Sequence, residues 1–462
     1  MNHSQKYNIY RQTFPEMVYE SFCYNVQPDG LHISFCFHLR SKEGNADIVF
    51  YPKALFEARD FLHMQQSEEV LDLLVFNIGM IELISYWKCA CPPHVHVKCG
   101  KLDDQQVAFW KKLYFNGEGE FFWVNGIHTT PDAFMTITSE GLVRQRINCS
   151  ANLCATDYLV PIGGGKDSVV TLEALKKQHQ TNARPLIMNP RGATRMCAER
   201  GGYDISQVLV INRSIDPLLL DLNAKGMLNG HTPFSAMLAF YTLLAEQLSG
   251  LSNVALSNES SANEGTVAGT NVNHQYSKSL EFENDFRAYV RDYICEEYRY
   301  FSFLRPLSEL QIAMLFARQP QYFEVFKSCN VGSKQDIWCG HCAKCLFAFI
   351  ILSPFLPPSE LEHIFGKNML DDAAMQLEFD QLTGHAETKP FECVGTISEV
   401  NSALSMALSK YYLPGIQKGE RQQLPALLQN YQPQQPVASL HAMFTDHNLT
   451  AEELAILKEA LK

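Results

Sequence analysis

Residues 163–168 read Gly-Gly-Gly-Lys-Asp-Ser. An apolar run, Tyr158–Ile162, precedes them and a helical pattern begins at Val169. Glycines let the backbone approach an oxyanion, and the free N–H groups and dipole of a helix start then face it. The chemistry on offer is phosphate binding. It is not that of a Walker A loop, because Asp167 separates the lysine from the serine, and the spacing is not GxGxxG. A second set is Cys329, Cys339, Cys342 and Cys345. Four thiolates at this spacing can close a tetrahedral zinc site and leave no open position, so the metal would be structural. An iron–sulfur cluster and unliganded thiols are the rival readings. The metal is expected to pin the sheet to a helix over Ala343–Ile351. A third set, Cys89, Cys91, His94, His96 and Cys99, reads as structure rather than a metal site, because HVHV alternates like a strand and Pro92-Pro93 breaks ligand geometry.

The elements that must position the loop alternate. Strands are predicted at Tyr158–Ile162, Arg184–Asn189, Gln207–Asn212 and Asn253–Asn258, with helices between them that include Val169–Lys177 and Phe234–Leu248. Continuous apolar strands alternating with helices predict an α/β fold with a parallel doubly wound sheet. Such sheets bind ligands at the carboxyl ends of their strands. Three of these ends carry polar groups: the glycine loop, Asn189-Pro190-Arg191 and Ser257-Asn258-Glu259-Ser260. The polar stretch 263–283 follows, with Asn263, Glu264, Asn271, Asn273, His274, Gln275, Tyr276 and Lys278, and leads into a helix predicted over Leu280–Tyr300.

Three regions are expected. Residues 1–150 read as a β-rich N-terminal domain for substrate recognition, with strands at Leu31–Leu39 and Asp47–Tyr51 and a helix over Ser67–Trp87. Two Asn-Gly dipeptides flank an aromatic stretch in Leu113–Ile127, which predicts hairpin turns with Glu118 and Glu120 solvated or, alternatively, facing a substrate. Residues 151–353 hold the loop and the cysteine quartet. Residues 354–462 read as mainly helical: Lys389–Thr396 is an ordered loop, Gln429–Pro436 a break, and Thr450–Glu453 a helix start.

The chain has 462 residues, 46% hydrophobic and 19% charged, with a formal net charge of −12. That is the composition of a globular protein, and the acidic balance argues against non-specific nucleic-acid binding. The N-terminus has no apolar signal core and no run reaches the ~18 apolar residues of a membrane span, the best candidate being Leu346–Leu356. Fourteen clustered cysteines without a signal peptide then point to the cytoplasm.

GGGKDS resembles the SGGxDS loop of the ATP pyrophosphatases, with Gly163 in place of the serine. The likeness implies an adenine nucleotide alpha hydrolase-like sheet. It also implies that Gly163, Gly164, Gly165, Lys166, Asp167 and Ser168 cradle pyrophosphate, with Asp167 holding Mg²⁺ or capping the helix, and with Asn189 and Asn258 at neighbouring strand ends. The quartet is similar to that of QueC-type enzymes, whose chains are much shorter. Over a longer stretch, VPIGGGKDS, FNGEGEFFWVNG, SNESSANEG, NVNHQYSKS, WCGHCAKC and KPFECVGT resemble the MurL family. That resemblance implies an ATP- and Mg²⁺-dependent epimerase that adenylates the glutamate carboxylate of UDP-MurNAc-L-Ala-L-Glu. The site would then need a base and an acid for the α-proton. His231, His274, Lys278, Glu264 and Cys393 are the candidates, and Arg191, Arg195 and Lys278 the candidate anion contacts. The rival readings are a QueC-like or tRNA-modifying adenylating ligase and a nucleotide-binding regulator.

Overall fold

The computed structural model describes residues 3–42, 46–58, 64, 66–148, 154–178, 183–266, 272–412, 424–433 and 439–462. Asn271 and residues 434–436 of the proline- and glutamine-rich patch lie outside them. The chain is a mixed α/β protein. It sorts into two compact units, each assembled from separate stretches: Met1–Leu159, Ser206–Val254 and Tyr276–Tyr300 in the first, Val160–Ile205, Ala255–Gln275 and Phe301–Lys462 in the second.

In the first unit Glu16–Gln27 and Gly30–Arg40 pair antiparallel, closed by Pro28-Asp29 with Gln27 opposite Gly30. Gly30 has φ +147°, and a Cβ there would sit 2.0 Å from the Phe56 carbonyl oxygen, so only glycine fits. Leu31, Ile33, Phe35, Phe37 and Leu39 alternate inward, as the period-two pattern requires. The helix Glu68–Trp87 covers this face. Ser67 caps it by accepting the Val70 N–H, and Gly79 admits the Tyr19 side chain, whose hydroxyl occupies the space a Cβ would need. Among the described residues it is the one helix long and apolar enough to cross a membrane, and 89% of that window is buried in the protein. The apolar run Leu346–Leu356, too short for a span and read as a buried helix, falls largely in the helix Ala343–Leu352, buried at every position.

Pairing is mixed. His94–Val97 pairs parallel with Glu16–Gln27 and with Thr136–Ser139, and Leu251–Val254 runs parallel to Cys154–Leu159. Leu209–Ser214, where a strand is predicted at Gln207–Asn212, pairs antiparallel along one edge with Lys53–Glu57. The N-terminal region also carries more helix than expected, at His3–Thr13, Asp104–Gly117, Gly119–Val124 and Pro131–Phe134.

The hairpin expected in Leu113–Ile127 is therefore corrected to two helices. Asp103 and Gln106 form a capping box that starts the first. Asn125-Gly126 ends the second: Gly126 has φ +61°, and Ile127 N–H donates to the Phe122 carbonyl at 2.8 Å. The same dipeptide serves a hairpin turn and a helix C-terminus, and aromatic packing decides between them. Glu118 is fully buried, not solvated. The helix expected over Leu280–Tyr300 ends at Tyr293, and Arg299–Ser302 is a strand.

In the second unit Ile162 N–H donates to the Leu186 carbonyl (2.8 Å) and Phe303 N–H to the Leu256 carbonyl (2.7 Å). The helix Lys166–Gln178 packs on Glu309–Phe316 and Ala451–Ala460. Ala343–Leu352 is enclosed by Glu309–Phe316, Pro358–Phe365, Gln376–Thr383 and Ile397–Ala407. Each fully buried Leu, Ile or Phe in it contributes about 1.5–3 kcal/mol. Thr450 and Glu453 form the expected capping box.

Candidate functional site

The glycine loop belongs to the second unit. Gly164 has φ +83°, and a Cβ there would lie 3.2 Å from the backbone of Ala193 and Thr194. Its carbonyl accepts the Lys327 N–H at 2.7 Å and the Cys197 thiol at 3.7 Å. A Cβ on Gly165 would come within 3.3 Å of Ser328 Cβ, whereas Gly163 faces open space. The loop is thus held from behind and open in front. Ser168 is buried, and its hydroxyl donates to the Gly165 carbonyl at 3.1 Å. Arg191 donates to the Gly163 carbonyl at 3.5 Å. Asn189 ends its strand with φ +52°, a conformation asparagine tolerates.

Lys166 does not point to solvent. It is 5% exposed, and its ammonium donates to the carboxylates of Asp167 and Glu309. Burial alone would lower its pKa, but those two carboxylates reverse the sign and raise it. Glu309 is buried too. Desolvation raises its pKa, the Lys166 ammonium pulls it down, and Asp167 and Glu259 add to the rise. Oxygens of Asp167, Glu259 and Glu309 all lie within 4.8 Å of one another. One ammonium among three carboxylates leaves net negative charge on a set of hard oxygen donors, which suits Mg²⁺. The strand end holds Glu259 in place: the fully buried Arg305 donates to its carbonyl at 2.6 Å, and Ser261 donates to its carboxylate at 2.9 Å. Asn258 donates to the Ser302 hydroxyl at 3.1 Å.

The four cysteines expected to share a metal come together. Sulfur separations are 3.8 Å for Cys329 and Cys342, 3.7 Å for Cys339 and Cys345, and 3.5 Å for Cys342 and Cys345. A tetrahedron with Zn–S bonds of 2.3 Å has an edge of about 3.8 Å. Gly332 N–H donates to the Cys329 sulfur at 3.1 Å. Among the described residues the Cys89–Cys99 segment forms no such group, and Cys89 and Cys91 are simply buried.

The quartet does more than hold the helix Ala343–Leu352. Cys329 follows Lys327 and Ser328, the two residues that back Gly164 and Gly165. Asp336, between Cys329 and Cys339, accepts the N–H groups of Gly192 and Ala193 at 2.9 Å each. That caps the helix Gly192–Arg200, against whose start Gly164 packs. The cysteine segment therefore braces the loop from two sides.

The remaining candidates divide between the units. In the second unit Glu264 pairs with the Lys389 ammonium, and His274 Nε2 lies 3.9 Å from the Cys393 sulfur. In the first, His231 Nδ1 is 3.3 Å from Glu120. There too the buried Lys88 ammonium donates to the Gly230 and His231 carbonyls and the Thr232 hydroxyl. Lys278, half-buried, lies in the first unit in a short turn of helix, Tyr276–Lys278. The sequence reading missed Glu309 and Asp336. The signal for Glu309 was the capping box Ser308–Gln311 just beyond a strand, which places an acid at a helix start.

A glycine loop, a carboxylate trio and a thiolate quartet that could hold a metal ion lie within one unit. Comparison with known proteins narrows the class. The MurL N-terminal domain matches residues 9–303 and the MurL C-terminal domain residues 325–421. A protein of Xanthomonas oryzae pv. oryzae named UDP-N-acetyl-alpha-D-muramoyl-L-alanyl-L-glutamate epimerase is 37% identical over 74% of this chain and 75% of its own. Proteins of the same name from Salinispora tropica and a Micromonospora species are 36% and 35% identical, each over 73% of this chain and over 72% and 74% of their own. The chain belongs to the MurL family. No solved structure matches it.

Proposed function

We propose that this chain inverts the terminal L-glutamate of UDP-MurNAc-L-Ala-L-Glu to the D-form, in peptidoglycan precursor synthesis, after adenylating its carboxylate with ATP. The relatives' shared name supports the substrate and the inversion. The observation that carries the adenylation is the Asp167–Glu259–Glu309 trio beside the glycine loop.

The α-proton of a carboxylate is a very weak acid, because the anion cannot delocalise a second charge. A carboxylate oxygen attacking the α-phosphorus of ATP breaks the bond to the β-phosphate and releases diphosphate. The resulting acyl adenylate has a far more acidic α-proton. In this reading the N–H groups of Gly164–Ser168 hold the departing diphosphate, and Asp167, Glu259 and Glu309 hold Mg²⁺, which offsets phosphate charge. Cys329, Cys339, Cys342 and Cys345 hold a structural zinc. Once the centre has inverted, hydrolysis releases AMP and the D-product. The relatives' name favours this over the QueC-like and tRNA-modifying readings.

The test is to incubate the protein with ATP, Mg²⁺ and UDP-MurNAc-L-Ala-L-Glu. AMP, diphosphate and D-glutamate should form, and metal analysis should find about one zinc per chain. Asp167→Ala should cut AMP formation on the order of 10²–10³-fold, the scale of losing one preorganised electrostatic contact. An L-centre left intact with no AMP would sink the proposal.

A further inference from the structure

We propose that Cys393 and His274 form the pair that moves the glutamate α-proton, an assignment that rests on the epimerisation proposed above. Cys393 Sγ lies 3.9 Å from His274 Nε2 in the second unit, and both residues are half-buried.

The two segments that carry them are laced together. Lys389 N–H donates to the Thr266 carbonyl at 3.3 Å, and the Lys389 ammonium pairs with Glu264. His274 N–H donates to the Thr266 hydroxyl at 3.0 Å. The Gln275 amide donates to the Val394 carbonyl at 3.2 Å. Lys344 donates to the carbonyl of Cys393 itself. So many bonds to backbone on either side hold thiol and ring in a fixed relation, as proton transfer requires.

The pair also sits beside the proposed adenylation site. Two residues on, Gly395 packs so closely that a Cβ there would come 3.1 Å from Glu309 Cγ and 3.1 Å from the Phe347 ring. Glu309 N–H donates to Glu399, which with Thr396 caps the next helix. Cα393 is therefore at most about 8 Å along the chain from a residue touching the trio.

Cys393 passes its proton to His274 Nε2 and becomes a thiolate. The thiolate takes the α-proton of the acyl adenylate: the C–H bond breaks, an S–H bond forms, and the electron pair moves into the acyl oxygen as an enolate. A solvent proton adds to the α-carbon from the opposite face, and His274 returns its proton to solvent. One proton leaves carbon and one arrives.

The experiment uses the full chain with ATP, Mg²⁺ and UDP-MurNAc-L-Ala-L-Glu in D₂O, following AMP, α-deuterium and configuration. The parent protein should release AMP and give D-glutamate with deuterium at the α-carbon. C393A should still release AMP, while deuterium incorporation and inversion fall on the order of 10²–10⁴-fold together. H274Q should show the same split. Should C393A fail to fold, C393S, close in size, takes its place. Inversion retained within tenfold in a Cys393 variant overturns the assignment. So does a folded variant that loses AMP release in step with inversion, because the residue would then serve adenylation. An L-centre left intact with no AMP from the parent protein overturns the epimerisation reading itself.

Discussion

Lys88 in the first unit and Lys166 in the second are equally buried, each 5% exposed, yet their ammonium groups are pushed in opposite directions. Burial lowers the pKa of Lys88, and its hydrogen-bond partners are neutral oxygens, with Glu118 and Glu120 acting only at a distance. Lys166 bonds directly to two carboxylates, which outweigh its burial and raise its pKa. The ordinary solution value of a lysine therefore says little about either. What matters is whether its partners carry full charges or dipoles. The carboxylates differ in step: Glu309 is neutralised by contact, whereas neither oxygen of Glu118 has a hydrogen-bond partner. The first arrangement gathers charge beside the glycine loop, and the second holds backbone.

Three measurements can break or sharpen this contrast. Lys166→Met removes the cation bonded to Asp167 and Glu309 and should cost about 3–5 kcal/mol, read by denaturant unfolding without metal. A cost under 1 kcal/mol would mean that the carboxylates do not depend on it. Lys88→Met orphans two carbonyls and a hydroxyl but breaks no hydrogen-bonded ion pair, so about 1–3 kcal/mol is expected. A loss equal to that of Lys166→Met would erase the distinction.

The smallest effect concerns Glu118. Desolvation raises its pKa from 4.5 to about 8, against the opposing pull of Lys88. Between those values the folded protein keeps a proton that the unfolded chain has lost, so stability falls as pH rises through the window. From pH 7 to pH 8 the parent should lose about 1 kcal/mol, and Glu118→Gln should lose less. An unchanged slope in the variant would show that Glu118 is ionised in the fold.

Much of the second unit was legible before any coordinates. The glycine loop, the strands on either side and the cysteine quartet each announce themselves within a few tens of residues, because turn chemistry, apolar period and metal-ligand spacing are local. Ser67 and Thr450 as helix caps belong to the same class of signal. The hairpin predicted around Glu118 failed at a place where local signals are degenerate. Asn-Gly closes a hairpin or a helix equally well, and burial of Phe121 and Phe122 chose the helix.

The sequence by itself determined that a glycine-rich loop opens a helix and that four thiolates can close on one metal. Both follow from residue types at short spacing. Only the tertiary structure decided that Glu309, 143 residues from Lys166, completes the carboxylate set. Only it brought Cys393 to His274, 119 positions apart. It also turned the cysteine segment into a brace for the loop through Lys327 and Asp336. No local pattern encodes these meetings. They arise where buried helices such as Ala343–Leu352 must be enclosed, and the packing that encloses them sets which distant side chains share a site.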